Sequence, residues 1–506
     1  MKSLRVLKLK IPHGPIRFAL GLVVASLLGT TSANADAPPN IIFLLADDMG
    51  YGDLGCYGSP VIQSPNLDKL AGQGVRLTEC YAASSNCSPS RAAMLTGRHP
   101  YRVGMYDFAR FKPLQLPTSE ITVAELLKDA GYDTLFAGKW HCSGDFYSGE
   151  QPYPGDQGFD HWLANYGNFG ENPDGFLRNG ETLDKLEGWM SEIVVDEAMT
   201  WLDGRSQEND PFFLCLWFSE PHTPVIAADE FKALYPPEVT EPHLEMISKG
   251  GGSQVARKKE MDDPARYFGC VTMLDHHIGR LLDYLDSKGL SDNTLIVFTS
   301  DNGPEHRNTR SFGSPGILRG AKGHMHEGGI RVPGIVRWPG KIASGSESDT
   351  PINGTDWLTT FATAAGVPIP TDRPIDGANV MPALIQGDSI ERSEPLFWWL
   401  WHARGGYEVV LREGDYKLLA TLTPQQDPGA PADTKQPEDW SIMEFIRKAD
   451  LSRFALYNLK DDPSESKDLA RIEPERLQEM KRMMIAQHRE IRVEGPHVDM
   501  ALKKKP

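Results

Sequence analysis

The stretch Asn40-Ile41-Ile42-Phe43-Leu44-Leu45-Ala46-Asp47-Asp48 decides how the rest of the chain is read. Seven residues without polar/apolar alternation have the length and pattern of a strand buried on both faces, as in a parallel sheet covered by helices. The run ends on two adjacent carboxylates, Asp47 and Asp48. Such a pair is electrostatically costly beside a buried strand unless a cation offsets it, and hard cations take oxygen ligands of this kind. A solvated turn with a helix cap is the alternative.

The same pattern recurs along the chain. Thr134 to Ala137 runs into Gly138-Lys139-Trp140-His141, where Lys139 and His141 share a face if the chain stays extended. Pro211 to Phe218 runs into Glu220-Pro221-His222, and Thr294 to Thr299 into Ser300-Asp301-Asn302. Between these runs lie helical patterns: Thr122 to Ala130, Glu192 to Leu202, Pro264 to Ser287 and Asp356 to Ala365. Strands alternating with helices predict an α/β fold built on a large, mainly parallel sheet. Ligands of such sheets bind outside the carboxyl ends of the strands. Asp47, Asp48, Lys139, His141, His222, Asp301 and Asn302 should therefore gather on one edge. Two acidic pairs there point to a shared cation, and oxygen-only ligation favours Ca²⁺ or Mg²⁺ over zinc. His276 and His277 fall within a helix and read as structural.

Val75 to Tyr81 reads as one short strand, and residues 145 to 190, rich in Gly, Pro, Asn and Asp, as a long irregular segment. Residues 236 to 262 and 423 to 439 read as polar loops. Beyond residue 390, short apolar runs at close spacing (396–401, 407–412, 416–421 and 455–459) predict a small antiparallel sheet, closed by a helix from Pro474 to about Glu490. The expected organisation is a leader over 1–35, a catalytic domain over 38–390 and a C-terminal subdomain over 391–490.

The chain has 506 residues and a formal net charge of −17. That balance argues against nucleic acid as a partner and requires a locally positive pocket for any anionic substrate. Lys2, Arg5, Lys8, Lys10 and Arg17 precede an apolar run, Phe18 to Leu28, and then Ala33-Asn34-Ala35. This is the pattern of a cleaved secretory signal, and the run is too short to span a bilayer comfortably. The protein is therefore expected to be secreted or periplasmic, with no stable membrane span. The six cysteines match neither a zinc site nor a disulfide framework, and no pairing is assigned.

One cysteine stands apart. Cys87-Ser88-Pro89-Ser90-Arg91-Ala92-Ala93-Met94-Leu95-Thr96-Gly97-Arg98 reads as a helix start, with Cys87 or Ser88 as cap and Pro89 as a first helical residue. A helix N-terminus with Arg91 nearby favours an anion. A buried packing thiol is the plainer reading of Cys87. The twelve residues resemble the signature of the type I, formylglycine-dependent sulfatases of the alkaline phosphatase superfamily, of arylsulfatase A and N-acetylgalactosamine-6-sulfatase type. Gly138-Lys139-Trp140-His141, Pro221-His222-Thr223-Pro224, Gly320-Ala321-Lys322-Gly323 and Glu327-Gly328-Gly329-Ile330-Arg331-Val332-Pro333 resemble further motifs of that family. The family often has Leu-Gly after the histidine, where this chain has Cys142-Ser143.

The resemblance implies an alkaline-phosphatase-like fold and a sulfuric ester hydrolase. It implies Cys87 oxidised by a maturation enzyme to formylglycine, whose hydrate attacks sulfur to give a covalent sulfo-enzyme. It implies a metal, usually calcium, held by Asp47, Asp48, Asp301, Asn302 and the modified Cys87. Arg91 would hold the hydrate, and Lys139 and Lys322 would bind sulfate. His222 would protonate the leaving alcohol with help from Lys322, and His141 would act as base. The expected substrate is a sulfated carbohydrate, with aryl sulfates as assay substrates. His324, Arg319, His326 and Arg310 flank Lys322 as pocket candidates. Trp398, Trp399, Trp401, His402 and Arg404 either line a sugar subsite or, for at least two of the tryptophans, form core. A phosphatase or phosphonate monoester hydrolase, and a non-catalytic binder of sulfated glycans, are the alternatives.

Overall fold

In the computed structural model, the described residues are 37–109, 113–167, 170–205, 210–240, 263–305, 312–423 and 441–498. The leader, Arg310 and most of the two polar stretches at 236–262 and 423–439 lie outside them. The strands are β1 (Asn40–Ala46), β2 (Val75–Leu77), β3 (Cys80–Tyr81), β4 (Asp133–Lys139), β5 (His161–Asn165), β6 (Leu177–Arg178), β7 (Glu181–Thr182) and β8 (Phe212–Trp217). They continue with β9 (Thr294–Ser300), β10 (Gly334–Arg337), β11 (Ser346–Ser348) and β12 (Ile352–Asn353). Ten of them form one sheet in the order β11-β2-β10-β9-β1-β8-β4-β5-β6-β7. The middle of the sheet, β9-β1-β8-β4-β5, is entirely parallel, while β10 runs antiparallel to β9.

β1 is central because both of its faces are apolar. Ile41, Phe43 and Leu45 enter one core with Phe213, Trp217, Trp357 and Phe361. Ile42, Leu44 and Ala46 enter the other with Leu214, Leu216, Leu274 and Ile278. Each such side chain contributes about 1.5–3 kcal/mol on burial. The helix Pro264–Ser287 lines the second core; Asp263 caps it by accepting from Ala265 N at 3.0 Å, and Pro264 occupies its first turn. The helices Val123–Asp129 and Asp356–Ala364 line the first.

Three local expectations need correction. Val75 to Tyr81 is not one strand: β2 joins the large sheet, and β3 pairs with β12 in a sheet of its own. Residues 145–190 are not wholly irregular, because β5 pairs in parallel with β4 and extends the sheet. Its five residues, His161-Trp162-Leu163-Ala164-Asn165, carry too short an apolar run to stand out in a Gly- and Pro-rich neighbourhood. Cys87 is the first residue of its helix rather than its cap: Asn86, in extended conformation, precedes it, and no side chain caps the helix.

β13 (Leu396–Trp399), β14 (Val409–Glu413), β15 (Tyr416–Thr423) and β16 (Asp450–Asn458) form the small antiparallel sheet. The last helix, Pro474–Glu494, packs Met480, Met484 and Ile491 into the first core. Trp398 and Trp399 are buried, and Trp399 stacks on Tyr101 at 4.2 Å, so these two are core residues. No helix among the described residues is long and apolar enough to cross a membrane.

Candidate active site

The carboxyl ends of β1, β4, β8 and β9 bring their polar residues to one edge of the sheet. Asp47 N donates to Glu220 O at 3.0 Å, Asp301 N to Ala46 O at 3.1 Å, and Asp48 N to Asp301 Oδ1 at 3.2 Å. These bonds tie the β8 and β9 ends to the acid pair after β1. The helix Cys87–Thr96 enters the same space, fully buried.

Arg91 joins the two acidic pairs. Its Nε donates to Asp301 Oδ2 at 2.9 Å, NH2 lies 2.7 Å from the same oxygen, and NH2 lies 3.4 Å from Asp47 Oδ2. Its NH1 donates to Lys139 O at 2.9 Å, and the guanidinium sits over the Trp217 ring. The carboxylates of Asp301 and Asp47 push the arginine pKa further up. Lys139, also buried, pairs with Asp47 Oδ2. Gly138, just before it, has φ +115° and lies so close to β8 that a Cβ there would be 2.0 Å from Trp217 O. Lys322 Nζ is 2.6 Å from Asp48 Oδ1 and 3.3 Å from Cys87 Sγ.

Ligand atoms of Asp47, Asp48, Cys87 and His222 all lie within 4.8 Å of one another. Asp47 Oδ1, Asp48 Oδ2 and Asn302 Oδ1 are buried without a hydrogen-bond partner among the described residues. Buried acceptors rarely go unpaired, so these three oxygens, beside the cluster of Asp47, Asp48, Cys87 and His222, fit a hard divalent cation. Asp301 stands differently from the other acids: its Oδ2 is engaged by Arg91 and its Oδ1 by Asp48 N. His222, absent from the expected ligand set, lies close enough to share the site, with Nε2 3.5 Å from Asp48 Oδ2. Asn302 Nδ2 donates to Asp48 Oδ1 at 2.6 Å, which turns its carbonyl oxygen to the unpaired role.

Burial dominates the titration of these groups. It pushes Asp48 and Asp301 up to about 6 against the pull of their basic neighbours. For Asp47 the nearby Lys139, His222, Arg91 and Lys322 outweigh burial and hold the carboxyl far below its ordinary range. Burial raises the Cys87 thiol to about 12, so as a thiol it is not a nucleophile at neutral pH. Lys322 is held well above its ordinary range by Asp48 despite burial.

His222 is lowered to about 3 by burial and Lys322, and its Nδ1 lies 2.6 Å from Thr223 O. A proton on Nδ1 satisfies that carbonyl and leaves Nε2 to face Asp48. His141 is lowered well below its ordinary value by burial, Lys139 and Arg91, and its Nδ1 has no hydrogen-bond partner among the described residues. It adopts φ +51°, so the chain does not stay extended from Lys139 to His141 as expected. Phe108 stacks on His141 at 6.4 Å, and Tyr166 meets it edge-on at 5.4 Å.

This is a buried cluster of acids, two lysines, an arginine and two neutral histidines around one cysteine, equipped to hold a cation and a tetrahedral anion together. The sulfatase family model matches residues 39–367, and the model of the N-sulphoglucosamine sulphohydrolase C-terminal region matches 321–422. The chain belongs to the sulfatase family. It is 34% identical to the N-acetylgalactosamine-6-sulfatase of Rattus norvegicus over 426 residues, covering 78% of this chain and 74% of that one. It is 32% identical to arylsulfatase A of Homo sapiens over 489 residues, covering 88% and 87%. Among solved structures, that of Ps i-CgsB in complex with k-i-k-neocarrahexaose matches with a TM-score of 0.73 at 27% identity, over 91% of this chain and 94% of that one. Sulfatase membership supports hydrolysis of a sulfate ester.

The remaining pocket candidates of this sulfatase are less uniform. His324 directs Nδ1 to Ala321 O at 3.0 Å, and His326 is buried against Tyr407. Arg319 donates to Glu465 O at 2.9 Å. Arg404 pairs with Glu305 through both guanidinium nitrogens, and His402 lies 3.3 Å from Asp107. The sequence reading missed Phe108, Tyr166 and Glu305; a single Phe, Tyr or Glu in a loop carries no motif.

Proposed function

We propose that this protein is an exported sulfatase that cleaves sulfate monoesters of a sulfated carbohydrate and requires conversion of Cys87 to formylglycine. The observation that carries the reading is Lys322 Nζ, lodged between Asp48 Oδ1 and Cys87 Sγ beside three unpaired buried oxygens. A divalent cation, Ca²⁺ before Mg²⁺, would be held by Asp47, Asp48, Asp301, Asn302 and the modified Cys87, with Asp301 also paired to Arg91. The formylglycine would supply the nucleophile for sulfur that the thiol cannot.

The chain's own residues do the rest. Lys139 and Lys322 bind sulfate oxygens and offset their charge. Arg91 neutralises Asp47 and Asp301, which lets four negative or partly negative groups share one buried site. His141, held neutral, accepts a proton. His222 contacts the sulfate from the β8 side. Burial opposes its protonation, so the charge at the leaving oxygen falls chiefly to Lys322. The sulfated-sugar relatives and the carrageenan oligosaccharide in the Ps i-CgsB structure support a glycan substrate. Cleavage after Ala35 would deliver the enzyme outside the cytoplasm.

The test is peptide mass spectrometry of the Cys87 segment after co-expression with a maturation enzyme, alongside rates on aryl sulfate and aryl phosphate. Conversion of Cys87 with preference for sulfate is expected. An active preparation with every Cys87 still a thiol overturns the mechanism, and preference for phosphate overturns the substrate class.

A further inference from the structure

The segment that carries Lys322 is a small closed body. His324 N donates to Ala321 O at 2.8 Å, Gly328 N to Arg319 O at 2.7 Å, Gly329 N to His326 O at 2.9 Å and Arg331 N to Glu327 O at 2.7 Å. A Cβ at Gly329 would lie 2.0 Å from His324 O, so the two ends of the body touch backbone to backbone. A body folded this tightly transmits displacement of one end to the other.

At one end, Lys322 reaches Asp48 and Cys87. At the other, Glu327 is gripped by groups from the C-terminal region. Lys417 Nζ, on β15, is 2.8 Å from Glu327 Oε1 and 3.0 Å from Glu465 Oε1. Glu465 Oε2 accepts from Glu327 N at 2.6 Å. Tyr81 OH donates to Glu327 Oε2 at 2.7 Å. The side chains of Glu327, Lys417 and Glu465 are all fully buried.

Two carboxylates and one ammonium, with the Arg331 guanidinium 3.4 Å from Glu327 Oε2, are a costly filling for such a space, because desolvation offsets much of their attraction and apolar side chains of the same volume are often as stabilising. What the ions offer over apolar packing is direction. Each hydrogen bond restricts an angle as well as a distance. Here both oxygens and the backbone N–H of Glu327 are held, which sets the orientation of the body that bears Lys322.

We propose that Lys417 and Glu465 are positioning residues for Lys322: the small C-terminal sheet sets the placement of the sulfate-binding lysine through Glu327. The proposal rests on the reading of Lys322 as a group that contacts sulfate. Neither Lys417 nor Glu465 is assigned any contact with substrate.

A double-mutant cycle tests it, with Lys322→Ala, Lys417→Met and the double variant, assayed for kcat/KM on an aryl sulfate, for affinity for inorganic sulfate in Ca²⁺-containing buffer, and for Tm. Lys417→Met alone should lower both kcat/KM and sulfate affinity at least tenfold. In the Lys322→Ala background it should cost less than threefold further, because the lysine it positions is gone. Equal, additive losses in both backgrounds would assign Lys417 a merely structural role and overturn the proposal, as would unchanged sulfate affinity in Lys417→Met. Should Lys417→Met fail to fold, Glu465→Gln keeps the shape and enters the same cycle, with at least a threefold loss expected that vanishes beside Lys322→Ala. If the wild-type protein hydrolyses no sulfate ester, the proposed function falls, and the sulfate-affinity cycle alone decides the positioning.

Discussion

Arg91 and Asp301 form a fully buried pair in which Nε and NH2 of the arginine both lie within 2.9 Å of a single carboxylate oxygen, Oδ2. The pair links the helix of Cys87 to the end of β9. Removing one partner leaves the other charged and desolvated. Asp301→Ala should therefore abolish turnover and also destabilise the fold by about 3–5 kcal/mol. Denaturant unfolding beside a sulfatase assay checks both. Near-normal activity would remove Asp301 from the machinery.

The three unpaired acceptors predict a stability response to metal. Adding Ca²⁺ to chelator-treated protein should raise Tm, because a ligand that binds only the folded state stabilises it. Asp48→Asn should reduce that shift while keeping the side-chain volume. An unchanged Tm on Ca²⁺ addition in the wild type would argue against a cation among Asp47, Asp48 and Asn302.

Trp398 is fully buried and donates through Nε1 to Ala82 O at 2.8 Å, just after β3 and before the Cys87 helix. Trp401 is only partly buried. Trp398→Ala should cost about 3–5 kcal/mol in stability. Trp401→Ala should cost distinctly less. Equal losses in an unfolding titration would contradict the division between core and surface.

Two buried histidines outside the candidate site set an acid limit. His488 is lowered to about 3 and His99 well below its ordinary value, in both cases chiefly by burial. Both are neutral when folded, whereas unfolding lets them take a proton below about pH 6.5. Above that pH they cost the fold nothing; below it stability declines at up to about 1.4 kcal/mol per pH unit for each, for His488 down to about pH 3. His488→Gln should flatten the decline of stability between pH 6 and 4 in urea titrations. An unchanged slope would show that His488 does not contribute.

Much of the fold was legible because its strands are buried on both faces. Continuous apolar runs such as Ile41 to Ala46 and Leu295 to Thr299 announce themselves without any partner in view. The helix Pro264–Ser287 was legible to the residue, since its apolar stripe and its start at Asp263-Pro264 are local features. β5 and the division of Val75 to Tyr81 between two sheets were not, because pairing is a property of two segments.

The site divides along the same line. The sequence by itself determined which residues end the buried strands, Asp47-Asp48, Lys139, His141, His222 and Asp301-Asn302, and its motifs added Lys322 and a cysteine at a helix start. Only the tertiary structure decided how these share their charges. Arg91 makes Asp301 one half of a buried ion pair, and His222 comes close to Asp47, Asp48 and Cys87. Lys322 is tied through Glu327 to Lys417 and Glu465, residues that lie 90 and 138 positions beyond Glu327. A residue's type and local pattern fix what it can do, but the field and contacts that act on it come from segments distant in the chain, and these meet only when the two cores close around the sheet.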